Sequence, residues 1–255
     1  MISSKLLITT VAMSMLLLTW CNTSVVTKNY TLQWYEDDSI ILITPTSKVW
    51  WFNALYSSGW LTSDEVKQQL SLSWKNDCTI INGSYFATTS GGSFQPAGTI
   101  LMYNGLKNIE VIQSSIIPSQ DHNLGVHIYY NTTNNLLSFS DDKAPVRGIG
   151  FFAGPMIIED NTINPKLSED ISHRNKPYER TFMIQLPDHK TVLWISTKKI
   201  TLSDLGAHLN TIYKDQIISV VNLDGGPSTT LQSDSLSFNN KDKKLPLWFS
   251  ICSKE

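Results

Sequence analysis

The chain has 255 residues, with 20 Lys and Arg against 22 Asp and Glu, a net charge of −2. Hydrophobic residues make up 41%, enough to bury a core and to exclude a disordered chain, while 13 Gly and 10 Pro are too few for a collagen-like one. Only 16% of residues are charged, against about 25% in an average soluble protein, and no basic tract is present to hold a nucleic-acid backbone.

Lys5 is the only charge among the first twenty residues, and residues 6–20 form an apolar run. At about 1.5 Å per residue that run falls short of a bilayer core of about 30 Å, so residues 1–21 read as an export signal. Leu18-Thr19-Trp20-Cys21 resembles a bacterial lipobox, in which Cys21 would carry a lipid and attach the chain to a membrane. Trp20 departs from that pattern, which has a small residue before the Cys. No linker rich in Pro, Gly or Ser divides the rest, and one domain is expected over residues 28–255.

Short apolar runs bounded by turn residues predict strands at 39–44, 48–55, 78–81, 99–103, 126–130, 182–186, 191–196, 217–223 and 245–251. Asn104-Gly105 predicts a hairpin turn, and Pro187-Asp188 another turn. Thr62 and Glu65 have capping-box spacing ahead of Val66 and Leu70, which predicts a short helix. A second helix is predicted after Thr201, where Leu202, Leu205, Leu209 and Ile212 share one face. The sum is an α+β domain: a mixed, largely antiparallel sheet core with a few packed helices. Cys78 and Cys252 each fall in a strand-like run. Two readings stay open for them, a disulfide formed after export or two separate buried thiols.

Four segments carry candidate chemistry. In Asn222-Leu223-Asp224-Gly225-Gly226-Pro227-Ser228 a buried strand ends in a carboxylate, two glycines and a hydroxyl. Glycines there let the backbone turn sharply, and consecutive N–H groups in such a turn suit an anion. A plain Asp-Gly turn fits the same residues. Asn82-Gly83-Ser84-Tyr85-Phe86 repeats the design with aromatics behind the turn. Gly154-Pro155 interrupts an apolar run, and Arg180-Thr181 opens another, bringing a fork of donors matched to phosphate.

In this order the segments resemble the phosphodiester glycosidase family. That family carries an Asn-Gly-Gly-Phe-Phe-like segment, a Gly-Pro step, an Arg-Thr-led strand and a final Asn-Leu-Asp-Gly-Gly-Gly-Ser. Ser84 and Pro227 stand here in place of glycines, and Pro227 brings no N–H. The resemblance implies cleavage of a sugar 1-phosphodiester at its anomeric carbon, with a glycan or sugar phosphate as partner and no cofactor. It implies Arg180 as phosphate clamp, and Asp224 as nucleophile or general base. Asn82 would orient the substrate or Asp224. Gly225 and Gly226 would add N–H donors, Tyr85 and Phe86 a floor beneath the sugar, and Gly83, Gly154 and Ser228 the rest of the substrate site. His173 leads into the site on a polar loop and would serve as a proton donor or as an ordinary loop residue. Neither the His nor the Cys spacing matches a metal site. A carbohydrate-binding lipoprotein without turnover and a structural envelope protein are the competing classes.

Overall fold

The computed structural model describes residues 23–26, 30–35, 40–45, 50–70, 72, 78–83, 85–88, 94–96, 99–104, 108–113, 125–131, 136–140, 149–168, 176–187, 191–213, 216–233, 237–238 and 242–253. The expected export signal and lipid-bearing Cys21 lie outside them, as do Ser84 and His173.

Three sheets carry most of the chain. The largest has eight strands in the order β1 (Thr23–Val26), β2 (Tyr30–Tyr35), β3 (Ile40–Pro45), β16 (Thr191–Ile200), β15 (Tyr178–Gln185), β17 (Ser219–Asn222), β13 (Met156–Glu159) and β14 (Thr162–Ile163). A second runs β11 (Leu136–Ser140), β10 (Val126–Asn131), β12 (Ile149–Ala153), β8 (Thr99–Asn104) and β9 (Asn108–Gln113). The third runs β19 (Ser237–Phe238), β18 (Leu231–Gln232), β5 (Cys78–Asn82), β20 (Leu245–Ser253) and β4 (Trp50–Leu61). A small hairpin pairs β6 (Phe86–Thr88) with β7 (Phe94–Pro96). Two α-helices are present among the described residues, α1 (Ser63–Gln69) and α2 (Leu202–Tyr213).

Every described strand pair is antiparallel, so the parallel component of the expected mixed sheet is not found there. The molecule is largely β, with helices in a minor part. Expected runs at 78–81, 126–130, 191–196 and 245–251 all lie in strands. The run expected at 48–55 continues instead to Leu61. Its neighbour β20 pairs with residues 50–56 and again at Leu61, with the register shifting between Leu245 and Leu247.

The strands with continuous apolar runs are covered on both faces, which is what such runs predict. Met183, Leu193, Val221, Ile81, Phe249, Phe151 and Ile128 come from all three large sheets and form one central cluster. Their neighbours Phe182, Ile184, Trp194 and Val220 face the other way, onto Leu202, Leu205 and Leu209 of α2. Burying each of those leucines stabilises the fold by about 1.5–3 kcal/mol. On the third sheet, Ile80 and Trp248 face Val66 of α1.

Both caps form as their sequences predict. The Glu65 N–H donates to Thr62 Oγ1 at 3.2 Å, and the Thr62 N–H donates to Glu65 Oε2 at 2.7 Å. At α2 the Asp204 N–H donates to Thr201 Oγ1 at 3.1 Å. Cys78 and Cys252 lie directly opposite each other on β5 and β20 and form a disulfide. Gly154-Pro155 is the corner at which the chain leaves β12 in one sheet and enters β13 in another.

Candidate active site

Strand register sets the site. β15 and β17 are neighbours, and Phe182 lies opposite Asn222. Continued two positions beyond the paired segment, that register brings Arg180 towards Asp224. A hydrogen bond from the Leu223 N–H to the Thr181 carbonyl, 2.8 Å, holds the last step before Asp224 in line.

From the third sheet, β5 brings Asn82 against the same point. Asn82 is fully buried and every edge of its amide is used. Nδ2 donates to the Asp224 main-chain carbonyl at 2.7 Å and to the Gly83 carbonyl at 3.3 Å. Oδ1 accepts from the Thr181 hydroxyl at 2.7 Å and from the Thr230 N–H at 3.0 Å. Asn82 thus reaches Asp224 through its main-chain carbonyl and does not itself line the cavity. Gly83 is buried beside it, donating to the Leu247 carbonyl at 2.9 Å and accepting from the Asp224 N–H at 3.2 Å.

A cavity of about 370 Å³ opens at this junction, within the usual range of small-molecule sites. Its charged lining groups among the described residues are Arg180 and Asp224. Tyr85, Phe86 and Tyr178 supply aromatic wall, and Gly225, Gly226, Pro227 and Ser228 supply the remainder. The structure thus brings together Asp224, Arg180, Tyr85, Phe86, Gly225, Gly226 and Ser228 of the expected set. Asn82, Gly83 and Gly154 do not line the cavity. Gly154 is buried, and its N–H donates to the Asn222 carbonyl at 3.1 Å.

Asp224 is half-buried, and its carboxylate Oδ1 accepts the Gly225 N–H at 2.9 Å. Burial pushes the Asp224 carboxyl up to about 6. A hydrogen bond with the Ser228 side chain, the Gly225 N–H, and the positive charges of Lys243 and Arg180 all pull the other way. Desolvation wins, leaving a carboxyl that exchanges its proton not far below neutrality, as an acid–base group requires.

Arg180 is 2% exposed, and burial depresses its ionisation from the usual arginine value. The phenols of Tyr85 and Tyr178 and the Asp224 carboxylate offset that burial. Nε donates to the Ile200 carbonyl at 3.2 Å and Nη2 to the Lys176 carbonyl at 2.8 Å. The guanidinium also lies over the Tyr178 ring, 5.4 Å from its centroid. Arg180 is therefore anchored by backbone on two nitrogens and presents its Nη1 side towards Gly225. The whole fork expected as a phosphate clamp is not directed at the cavity. Likewise the Gly225 N–H serves the Asp224 carboxylate, so the expected pair of glycine donors is reduced there.

The two glycines are needed for a different reason. A Cβ on Gly225 would stand 3.0 Å from the Glu179 carbonyl oxygen and 3.5 Å from Arg180 Cδ. Gly226 has φ of +59°, a left-handed conformation that side chains disfavour, and a Cβ there would stand 3.3 Å from Tyr178 Cδ1. They let the loop pass close beside Arg180 and Tyr178.

Three neighbours of the site had no role assigned from the sequence. Tyr178 lies two residues before Arg180 with no motif to mark it. Lys243, in the polar segment before β20, places its charge near Asp224. Asn222 is fully buried and donates through Nδ2 to the Tyr85 hydroxyl and, at 2.7 Å, to the Leu223 carbonyl. Among the described residues no group of three or more His, Cys, Asp or Glu is placed to hold a metal ion.

A family profile described as phosphodiester glycosidase matches residues 76–247, well over half of the chain. The chain belongs to the phosphodiester glycosidase family. The match begins just before β5 and ends within β20, so it contains Asn82, Arg180 and Asp224 alike. The fold is similar to the catalytic domain of zebrafish N-acetylglucosamine-1-phosphodiester alpha-N-acetylglucosaminidase, auto-inhibited by its pro-peptide. TM-score is 0.53 and identity 14%, covering 91% of this chain and 81% of that one. It is also similar to a hypothetical protein from Synechocystis, with TM-score 0.52 and 11% identity. That likeness covers 91% of this chain, which spans only 61% of the Synechocystis protein. No curated protein matches the sequence. Within this phosphodiester glycosidase fold, no helix of the described residues is long and apolar enough to cross a membrane.

Proposed function

We propose that this chain is an exported glycosidase that hydrolyses a sugar 1-phosphodiester at the anomeric carbon. The observation that carries the reading is the shared cavity of Arg180 and Asp224, one cation and one acid–base carboxyl facing a space suited to a sugar phosphate. Export is supported by the signal-like residues 1–21 and by the Cys78–Cys252 disulfide, a bond typical of oxidising compartments. Lipidation of Cys21 would hold the protein at a membrane surface.

Most glycosidases set two carboxyl groups on opposite faces of the scissile bond. Asp224 is the single carboxyl lining this cavity among the described residues. A phosphodiester leaving group fits such a site, since the departing phosphate is a weak base and needs charge stabilisation rather than a strong acid. Asp224 would take a proton from water as that water attacks the anomeric carbon. The C–O bond breaks, its electron pair leaves on the phosphate oxygen, and Arg180 neutralises part of that charge. Tyr178 and Phe86 would lie along the apolar faces of the sugar.

A second reading, a carbohydrate-binding protein without turnover, draws on Pro227, which lines the cavity and has no N–H to offer an oxyanion. Sugar release from a GlcNAc-1-phosphodiester by purified protein separates the two. Release that disappears in Asp224→Asn supports hydrolysis. Binding of the sugar phosphate without release supports the second reading.

A further inference from the structure

The loop after Asp224 folds back onto it. The Gly225 N–H donates to Asp224 Oδ1 at 2.9 Å, and the turn Gly226–Ser228 then reverses the chain, the Ser228 N–H donating to the Gly225 carbonyl at 3.2 Å. Beyond the turn, the Thr230 hydroxyl donates to the Ser228 carbonyl at 3.1 Å, and the Thr230 N–H donates to Asn82 Oδ1 at 3.0 Å. Both main-chain groups of Ser228 are therefore committed to holding it in place. Ser228 is 8% exposed and lines the cavity beside Asp224, whose carboxylate its hydroxyl hydrogen-bonds.

A hydroxyl is a different partner from an N–H. The Gly225 N–H only donates, so it suits the ionised carboxylate and cannot accept from a carboxyl O–H. Ser228 donates to the carboxylate and, once Asp224 has taken up a proton, can accept from the carboxyl by turning its own hydrogen away. The bond reverses rather than breaks. It is stronger to the ionised form, because hydrogen bonds to a charged group are about twice as strong as neutral ones. An acid–base group needs such support, since a carboxyl that rotates between proton uptake and release loses its aim at the reacting atoms.

We infer that Ser228 is a positioning residue for Asp224, its hydroxyl holding the carboxyl at one angle to the cavity both with and without the proton. This assignment rests on the reading of Asp224 as the base of a sugar 1-phosphodiester hydrolase. It changes the expected place of Ser228 from substrate contact to support of the acid.

Arg180 on β15 and Lys243 ahead of β20 are the charged groups acting on Asp224, and Tyr85 and Tyr178 are the other titratable groups of the cavity among the described residues. Ser228→Ala alters none of them. Carbon-13 NMR of aspartate-labelled protein follows the Asp224 carboxyl, assigned by its absence from Asp224→Asn, beside kcat and KM for a GlcNAc-1-phosphodiester. Ser228→Ala should titrate about one pH unit above wild type, with kcat about tenfold lower and KM unchanged. Ser228→Thr, which keeps a hydroxyl, should return both towards wild type. An unmoved carboxyl in Ser228→Ala overturns the assignment, and so does a Thr variant displaced as far as the Ala one. A raised KM at unchanged kcat overturns it too, by making Ser228 a substrate contact. If wild type releases no sugar, a shifted carboxyl still upholds the hold of Ser228 on Asp224, and the hydrolysis reading is the one that fails.

Discussion

Asn82 Nδ2 donates to the main-chain carbonyl of Asp224 at 2.7 Å, across 142 residues of sequence, and so ties the third sheet to the acid of the cavity. The same side chain receives Thr181 from β15 and Thr230 from the loop beyond Asp224. Asn82→Ala leaves a buried hydroxyl, a buried N–H and a buried carbonyl without partners. Each costs about 1–3 kcal/mol, so a loss of about 3 kcal/mol or more is expected. A urea titration should show a lower midpoint at constant slope, with sugar release reduced in the protein that remains folded.

Asp224→Asn should separate activity from stability. The folded-state pKa of about 6 lies above the ordinary carboxylate value, so the native protein binds the extra proton between about pH 4 and 6. Native stability from this group is greatest below that window and falls as pH rises through it, reaching a cost on the order of 3 kcal/mol above pH 6. Asn carries no charge to bury. The variant is expected to be more stable than wild type at pH 7, with the gap closing towards pH 4, while turnover drops about 100-fold or more. Melting temperatures across pH 4–8, read beside kcat/KM, check both halves.

Lys243 lowers the Asp224 pKa through its charge, and Asp224 in turn supports the charge on Lys243 against burial. Lys243→Met removes that influence, and the Asp224 carboxyl should hold its proton to a higher pH. If Asp224 is the base, the acidic limb of the kcat/KM profile moves to higher pH. An unmoved limb would mean that another group governs it.

The disulfide joins Cys78 to Cys252 across 174 residues, linking β5, which carries Asn82, to its neighbour β20. Replacing both with Ala is expected to lower stability by about 2–5 kcal/mol, since a long loop in the unfolded chain is released. Denaturant midpoints with and without reductant should reproduce that difference in wild type.

The elements that were legible in sequence share one property, a local signal. Capping pairs at Thr62 and Thr201, the two-sided apolar runs of β5 and β20, and the glycines after Asp224 each follow from a few adjacent residues. Arg180 and Asp224 could be nominated separately because each stands at the mouth of a buried strand. Their meeting depended on the register of β15 against β17, which no local pattern contains. Tyr178, Lys243 and the contact of Asn222 with Tyr85 were missed for that reason: they come from what the fold places beside one another. The direction of the Arg180 fork was missed as well, because it is set by the carbonyls of Lys176 and Ile200.

Hydrolysis in water enriched with oxygen-18, followed by mass spectrometry of both products, tests the central claim most directly. Attack at the anomeric carbon predicts the heavy oxygen on the released sugar and none on the phosphate. Label found on the phosphate instead would make the reaction a phosphoryl transfer and contradict the role assigned to Asp224.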